Sequence, residues 1–252
     1  VLIVFGWLSG CNFRLAGKDW GVVFLLSLLR AVTSFSLIIA YQNIASGVAS
    51  TIHFMDPLAV ALAMMFFFRE KKSLLVILAV LMSLLGAALL SLGELEAKSG
   101  NTMVGLVAAC VSVFSYAGYI VGVRTTRAVQ INSTALTCYV MGLGTIFYLI
   151  GAYCTSGLQL VSDGYTWLII LGLALPATAI SNITLVQAIK YAGPTLTSIL
   201  GAMEPLTAVV IGVFVFKELF TVNSAVGIIL ILLAVSIVVF LSLIHISEPT
   251  RP

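Results

Sequence analysis

Charged side chains are scarce in this sequence. Lys, Arg, Asp and Glu make up 8% of its 252 residues, and 61% of the residues are hydrophobic; an ordinary soluble domain has roughly 25% charged residues. The mean hydropathy is +1.19. A soluble protein cannot bury that much apolar surface, so lipid is the expected solvent for much of the chain.

Motifs for catalysis, metal binding and nucleic-acid binding are missing as well. The sequence contains no HExxH, no GxxxxGK[ST] and no pairing of a nucleophile with a base. Its cysteines follow no CxxC or Cys/His spacing, and its basic residues are nowhere dense enough for nucleic acid. We therefore expect no catalytic residue, metal, cofactor or nucleic-acid partner. The cysteines, which we expect to pack inside helices, are Cys11, Cys110, Cys138 and Cys154.

Eight stretches are long and apolar enough to cross a bilayer, which needs about 20 such residues. They are residues 20–41, 47–68, 73–93, 102–123, 134–154, 165–187, 194–216 and 221–240, preceded by an apolar stub at residues 1–8. The breaks between them are short and carry turn-forming or charged residues. The pattern predicts an all-α integral membrane protein with eight complete spans and a partial one.

The basic residues in the breaks between spans are unequally distributed, with eight on one side of the membrane and two on the other. One side holds Arg14, Lys18, Arg69, Lys71, Lys72, Arg124, Arg127 and Lys190, and the other holds Lys98 and Lys217. Basic residues accumulate on the cytoplasmic side, so the first side is predicted to be cytoplasmic, with the C-terminus on it. The short loops are typical of a protein of the bacterial cytoplasmic membrane.

Both ends of the chain have unusual sequences. The sequence begins at Val1, inside a predicted helix, and no methionine precedes it. We therefore expect a fragment of a longer protein. Residues 241–251 read LSLIHISEPTR, which resembles the translation of a transposon-type sequencing adapter. We interpret residues 241–252 as an artefact and exclude His245, Glu248 and Arg251 from the functional argument.

An internal repeat relates two parts of the chain. Residues 55–70 read MDPLAVALAMMFFFRE, and residues 203–218, 148 positions later, read MEPLTAVVIGVFVFKE. The two copies are five spans apart, and an odd number of spans reverses the direction across the membrane. The pattern predicts inverted repeats, at residues 1–93 and 102–240. The second repeat has five helices, and the first would lack its first helix and most of its second. Inverted repeats are common in secondary transporters, whose substrate sites lie at the repeat interface.

On these residues the chain resembles the EamA-type transporters of the drug/metabolite transporter superfamily. The matching features are the two halves, the acidic-Pro-Leu step in the fourth span of each, and the Phe-x-Phe-(Arg/Lys)-Glu exit that follows. Arg30 also fits the family, whereas Asp56 departs from it because that position is more often small or neutral. The resemblance implies a bundle of ten helices in the parent, a cytoplasmic N-terminus and transport of metabolites, amino acids or drugs.

Three charged residues are predicted near the bilayer midplane: Arg30, Asp56 and Glu204. Arg30 lies ten residues into its span, which is about 15 Å deep at 1.5 Å per residue. Each such charge costs roughly 2.5–3.5 kcal/mol in lipid, so all three should face the bundle interior, water or each other. Either they neutralise one another and fix helix packing, or they bind substrate or couple protons.

The residues around the two acidic positions extend this candidate site. His53 precedes Asp56 by one helical turn, so it either shares a proton with Asp56 or is a hydrogen-bonded interior histidine. Pro57 and Pro205 each lack an N–H, and we expect them to break their helices. Such a break either exposes polar backbone to a cavity or is a simple packing kink.

Polar residues also form stripes along the helices. Arg30, Thr33 and Ser34 pair at the offset of 148 with Thr178, Ser181 and Asn182, and a further stripe comprises Ser112, Ser115, Tyr116 and Tyr119. Spacing by three and four residues places each stripe on one helix face. The stripes could line a solute path or form interhelical hydrogen bonds, and Gly118 with Gly122 indicates close packing.

The leading hypothesis is a secondary transporter that moves a small metabolite by alternating access. The cargo would be an amino acid or an amphipathic metabolite or drug, exported and coupled to protons; the expected partners are this small molecule and the bilayer. The alternatives are a channel-like or scaffolding membrane protein, or a nucleotide-sugar-type carrier of the same superfamily. The few fixed charges argue against a highly anionic cargo.

Overall fold

The fold is known from a computed structural model, which describes residues 2, 6–7, 13–44, 46–68, 74–91, 100–155, 163–201, 203–214 and 221–247. Within these ranges the chain forms helices and turns, with no β-strand. The prediction of an all-α membrane protein is confirmed. Most of the predicted stub and the Arg69–Glu70 and Lys217–Glu218 exits lie outside the described residues.

Each of the eight predicted spans is helical. Four of them are single helices that run without interruption: α1 (Trp20–Asn43), α4 (Leu74–Ser91), α5 (Thr102–Thr125) and α6 (Ser133–Thr155). The last span is also a single helix, α11 (Val222–Ser247), and it continues seven residues past the predicted end at Phe240 because residues 241–246 are largely apolar. Five helical segments reach the length and hydropathy of a membrane span among the described residues, and two shorter apolar helices accompany them.

Two spans are interrupted. One consists of α2 (Ser46–His53) and α3 (Asp56–Phe67). The other consists of α7 (Gly164–Leu173), a π-helical segment (Ala174–Ile180) and α8 (Ser181–Ala192). The remaining span contains α9 (Pro194–Gly201) and α10 (Met203–Phe214), and Ala202 between them lies outside the described residues. Pro176 lies in the π-helical segment; a proline cannot donate to the carbonyl four residues back, which favours such a widened turn.

Local sequence fixes several helix ends. The Asp163 carboxylate accepts a hydrogen bond from the Thr166 backbone N–H at 3.0 Å and so caps α7. Gly193, between α8 and α9, has a φ of +92°, a conformation that a side chain would disfavour. Pro194 then occupies the first position of α9, where its missing N–H costs no helical hydrogen bond.

The chain divides into two compact units. The first comprises Val1–Val32 and Tyr119–Gly193, and the second comprises Thr33–Gly118 and Pro194–Pro252. In the first unit α6 packs against α8. In the second unit α4 packs along α11, and α9 packs against α3. Small residues allow this approach: the second unit has a core cluster of Ala61, Ala79, Val80, Ile199 and Ala234. The predicted inverted repeat remains a prediction.

Candidate functional site

In the first unit, Arg30 contacts two other predicted site residues. Its guanidinium Nη2 donates to Asn182 Oδ1 at 3.2 Å, and its Cζ lies 5.8 Å from the centroid of the Tyr119 ring. Tyr119 and Asn182 are buried, at 1% and 6% exposure. A half-buried guanidinium needs such partners, because an amide oxygen and an aromatic face both stabilise a cation away from water. Arg30, Tyr119 and Asn182 are called the arginine cluster below.

The amide of Asn182 is oriented by a second hydrogen bond. Its Nδ2 donates to the Thr178 carbonyl at 2.7 Å, which leaves Oδ1 to accept from Arg30. Thr178 is the residue that the offset of 148 pairs with Arg30. A guanidinium matches a carboxylate with paired N–H donors, so the arginine cluster contains a group that can bind one.

In the second unit, His53 lies against the polar stripe of α5. Its Nδ1 is 3.0 Å from Ser112 Oγ, and the centroids of the His53 and Tyr116 rings are 5.5 Å apart. The Ser112 hydroxyl donates to the Ala109 carbonyl at 2.6 Å. Because a hydroxyl has one proton, this geometry assigns the Nδ1–H tautomer to His53, with Ser112 accepting. His53, Ser112 and Tyr116 are called the histidine cluster below.

A second interhelical hydrogen bond joins the same stripe to α1. Thr33 Oγ1 donates to Ser115 Oγ at 3.1 Å, and Ser115 donates to the Val111 carbonyl at 2.6 Å. Ser34, the neighbouring candidate, is half-buried on α1. Thr33, Ser112 and Ser115 therefore form hydrogen bonds between helices. This is one of the two interpretations of the polar stripes.

The two acidic residues lie in the second unit, in two different spans. Asp56 is the first residue of α3 and is buried at 7% exposure. Glu204 is the second residue of α10 and is exposed. The two carboxyl groups are close enough to interact electrostatically. Asp56 stands in the first turn of α3, where the positive end of the helix dipole favours a negative charge.

The two prolines follow the acidic residues directly. Pro57 is the second residue of α3 and is buried, and Pro205 is the third residue of α10. Shifting Pro57 by 148 positions gives Pro205, so the two prolines stand at equivalent places in the predicted repeat. A break at Pro205 and a cavity at these positions remain predictions.

Sequence reasoning missed two features of the first unit. The π-helical segment was signalled by Pro176 alone, and a lone proline indicates a kink, a bulge or a break equally well. Lys190 is buried at 8% exposure, and its Nζ donates to the Ile131 carbonyl, while Arg124 donates to the Lys190 carbonyl. Among the described residues, no three His, Cys, Asp or Glu side chains come together as a metal site requires.

Comparison with known proteins places the chain in a family. No curated protein matches it. A solved structure described as "Crystal structure of protein" has 18% sequence identity and a TM-score of 0.80, over 98% of this chain and 84% of that chain, which shows a shared fold. A model of the EamA-like transporter family matches residues 103–240, more than half of the chain. The chain therefore belongs to the EamA-like transporter family, within the drug/metabolite transporter superfamily.

Proposed function

We propose that this protein is a secondary transporter that exports a small metabolite by alternating access, with the movement coupled to protons. The cargo is an amino acid or a similar amphipathic molecule. The observation that carries the proposal is the pair of acidic residues Asp56 and Glu204, whose carboxyl groups are close enough to interact, with Asp56 at the break between α2 and α3. Interrupted helices are typical of transporter binding sites, because their free ends present polar backbone groups.

The acidic pair is proposed to carry the coupling proton. Burial of Asp56 opposes a charge there and the neighbouring Glu204 carboxylate repels it, whereas the helix N-terminus favours it. A group with opposing influences of this kind can gain or lose a proton when its surroundings change. His53, three residues before Asp56, is proposed to assist, since Ser112 and Tyr116 fix its ring.

The arginine cluster is proposed to bind the carboxylate of the cargo. Arg30 contacts an amide and an aromatic ring in the first unit, and its guanidinium matches a carboxylate with paired N–H donors. Tyr119 supplies an apolar face beside that charge, which suits a molecule with one carboxylate and an apolar body. In the second unit, Ser34 and Tyr116 are proposed to line the solute path.

The cytoplasmic membrane is the proposed location, with the C-terminus on the cytoplasmic side. The support is the ratio of eight basic residues to two between the two sets of breaks. Of these residues, the structure describes Arg14, Lys18, Arg124, Arg127 and Lys190, all assigned to the cytoplasmic side.

Transport by purified protein in liposomes tests the coupling. Uptake of amino acids is measured with and without a pH gradient for the wild type, Asp56→Asn and Glu204→Gln. We expect gradient-driven uptake to fall about tenfold or more in each variant, because removing an ionisable group removes the proton site. The matched control is Asp163→Asn, which alters an exposed carboxylate outside the spans and keeps a capping side chain.

Two results would contradict the proposal separately. If uptake does not depend on the pH gradient and is unchanged in Glu204→Gln, transport is not coupled to protons, although the protein is still a carrier. If the flux neither saturates with substrate concentration nor shows counterflow, the protein is not a carrier, and a channel is favoured instead.

A further inference from the structure

A groove in the first unit has no part in the proposed transport site. It has a volume of about 370 Å³, within the range of about 300–1,000 Å³ that is usual for small-molecule sites. One wall is a single face of α6, formed by Tyr139, Gly142, Leu143 and Ile146 at spacings of three and four residues. The opposite wall is Phe13 and Trp20, from the segment that leads into α1.

Contacts between the two walls hold the groove in shape. The Tyr139 hydroxyl donates to the Phe13 carbonyl at 2.6 Å. The Tyr139 ring also stands edge-on to the rings of Phe13 and Trp20, with centroids 6.5 and 5.4 Å apart. Aromatic and aliphatic side chains therefore line a preformed groove. Such a lining favours an apolar chain as the occupant.

Basic residues surround the same end of the unit. Arg14 follows Phe13 directly and Lys18 precedes Trp20 by two positions, and both side chains are exposed. Arg127 Nε lies 3.5 Å from Asp19 Oδ1, and this contact joins the break before α6 to the segment before α1. With the exposed Arg124, residues 13–19 and 124–130 contain four basic residues and one acidic residue.

We propose that this groove binds an anionic phospholipid, with one acyl chain against Tyr139, Leu143 and Ile146 and the headgroup phosphate at Arg14 and Lys18. Charge complementarity identifies the occupant: a zwitterionic lipid would fill the groove equally well but would gain little from four basic side chains. Basic residues near a membrane surface attract anionic lipids, and Arg matches phosphate oxygens with paired donors. Tyr and Trp beside the groove suit the level where headgroups meet acyl chains.

Lipid retention in detergent tests this site without reference to transport. The full chain is purified and mixed with equal amounts of phosphatidylglycerol and phosphatidylethanolamine of identical acyl chains, and the retained lipids are counted by native mass spectrometry. We expect at least a fivefold preference for phosphatidylglycerol. A fivefold change corresponds to about 1 kcal/mol, which is the typical effect of one basic residue near an anionic surface.

Two kinds of variant test separately how the apolar groove and the basic side chains contribute to lipid binding. Gly142→Phe fills the groove, because a side chain at Gly142 meets open space, and it should abolish lipid retention. Arg14→Gln with Lys18→Gln should remove the preference for phosphatidylglycerol while some lipid of both kinds stays bound. Should Gly142→Phe fail to fold, Ile146→Trp fills the groove from the next turn of α6.

The controls make the same chemical changes elsewhere. Gly172→Phe also adds a ring to a helical glycine with open space around it, and Lys217→Gln removes a basic charge from a break predicted on the other side. Both should bind lipid like the wild type. Equal retention of the two lipids, no retained lipid, or unchanged retention in Gly142→Phe would overturn the proposal.

Discussion

At the scale of single residues, the polar side chains inside the spans are mostly bonded to their own helices. Ser27 Oγ donates to the Val23 carbonyl at 2.8 Å, and Asn182 Nδ2 donates to the Thr178 carbonyl at 2.7 Å. Such bonds satisfy a hydroxyl or amide proton in lipid and leave an oxygen that accepts from another helix. Asn182 uses that oxygen for Arg30, and Ser112 uses it for His53.

The bond between Arg30 and Asn182 should be measurable as a coupling energy. We expect the effects of Arg30→Met and Asn182→Leu on the free energy of unfolding to be non-additive by about 1 kcal/mol, because each change removes the same interhelical hydrogen bond. The measurement is a double-mutant cycle by denaturation in mixed detergent micelles. Additivity within about 0.3 kcal/mol would show that the two side chains do not interact.

Asp163 makes the stability of α7 depend on pH. Hydrogen bonds from the Thr166 N–H, the Thr166 hydroxyl and the Tyr165 N–H lower the pKa of Asp163 below its usual value of 3.8. The folded state therefore favours the carboxylate, so this stabilisation is present above pH 3.8 and is lost as the pH falls through the lower, folded pKa. Asp163→Ala should lower the Tm at pH 7, and the difference from the wild type should shrink in acid.

Thermal unfolding in detergent between pH 3 and 7 checks the effect of Asp163. Asp163→Ser is the matched control, because a serine can cap the helix without a carboxyl group. The Tm difference between Asp163→Ser and Asp163→Ala should therefore be independent of pH. A difference for Asp163→Ala that stays constant over this range would contradict the assigned role.

At the scale of helices, the span boundaries could be predicted because the signals are local. Charged and turn-forming residues end the spans, and the predicted start at residue 102 is the observed start of α5. The break at Phe54 and Met55, just before Pro57, has a local signal too, because a proline cannot donate to the carbonyl four residues back. The π-helical segment could not be predicted, because the lone Pro176 indicates a kink, a bulge or a break equally well. The bond from Lys190 to the Ile131 carbonyl could not be predicted either, because 59 residues separate the two.

The packing of α4 along α11 depends on a glycine. A Cβ at Gly86 would lie 2.7 Å from the Gly227 carbonyl oxygen and 2.7 Å from Ile231 Cγ1, closer than real Cβ atoms approach. Gly86→Ala should therefore destabilise the protein by about 1–3 kcal/mol, since the helices must separate to admit the methyl group.

The matched comparison for Gly86 is Gly172, where an added Cβ meets no atom within 4 Å. Alanine is the better helix former by about 1 kcal/mol, so Gly172→Ala should be neutral or stabilising. The two variants are compared by unfolding in mixed micelles. Equal effects of the two substitutions would rule out the close contact between α4 and α11.

At the scale of the whole molecule, composition predicted the membrane environment, and the number and length of the apolar stretches predicted the all-α class. The candidate site was predicted as a set of polar residues. Asp56, Glu204 and His53 lie in the second unit, and in the first unit Arg30 contacts Asn182 and Tyr119. The sequence could not predict these partners because 152 residues separate Arg30 from Asn182.

Cysteine labelling tests the proposed orientation. In a variant whose four native cysteines are replaced by serine, Gln130→Cys should react with an impermeant maleimide only from the cytoplasmic side, and Tyr165→Cys only from the opposite side. Both positions are exposed, and α6 lies between them. The inverse pattern of labelling would reverse the orientation, and labelling of both from one side would contradict the number of spans.

The edge-on arrangement of Trp20 and Tyr139 has an optical consequence. Indole emission is quenched by bromine atoms within a few ångströms, and Trp20 forms part of the wall of the groove. In a variant that keeps Trp20 and replaces Trp7 and Trp167 by phenylalanine, brominated acyl chains should therefore dim the fluorescence as the groove fills. The protein thus contains its own spectroscopic sensor of lipid occupancy, without any attached dye.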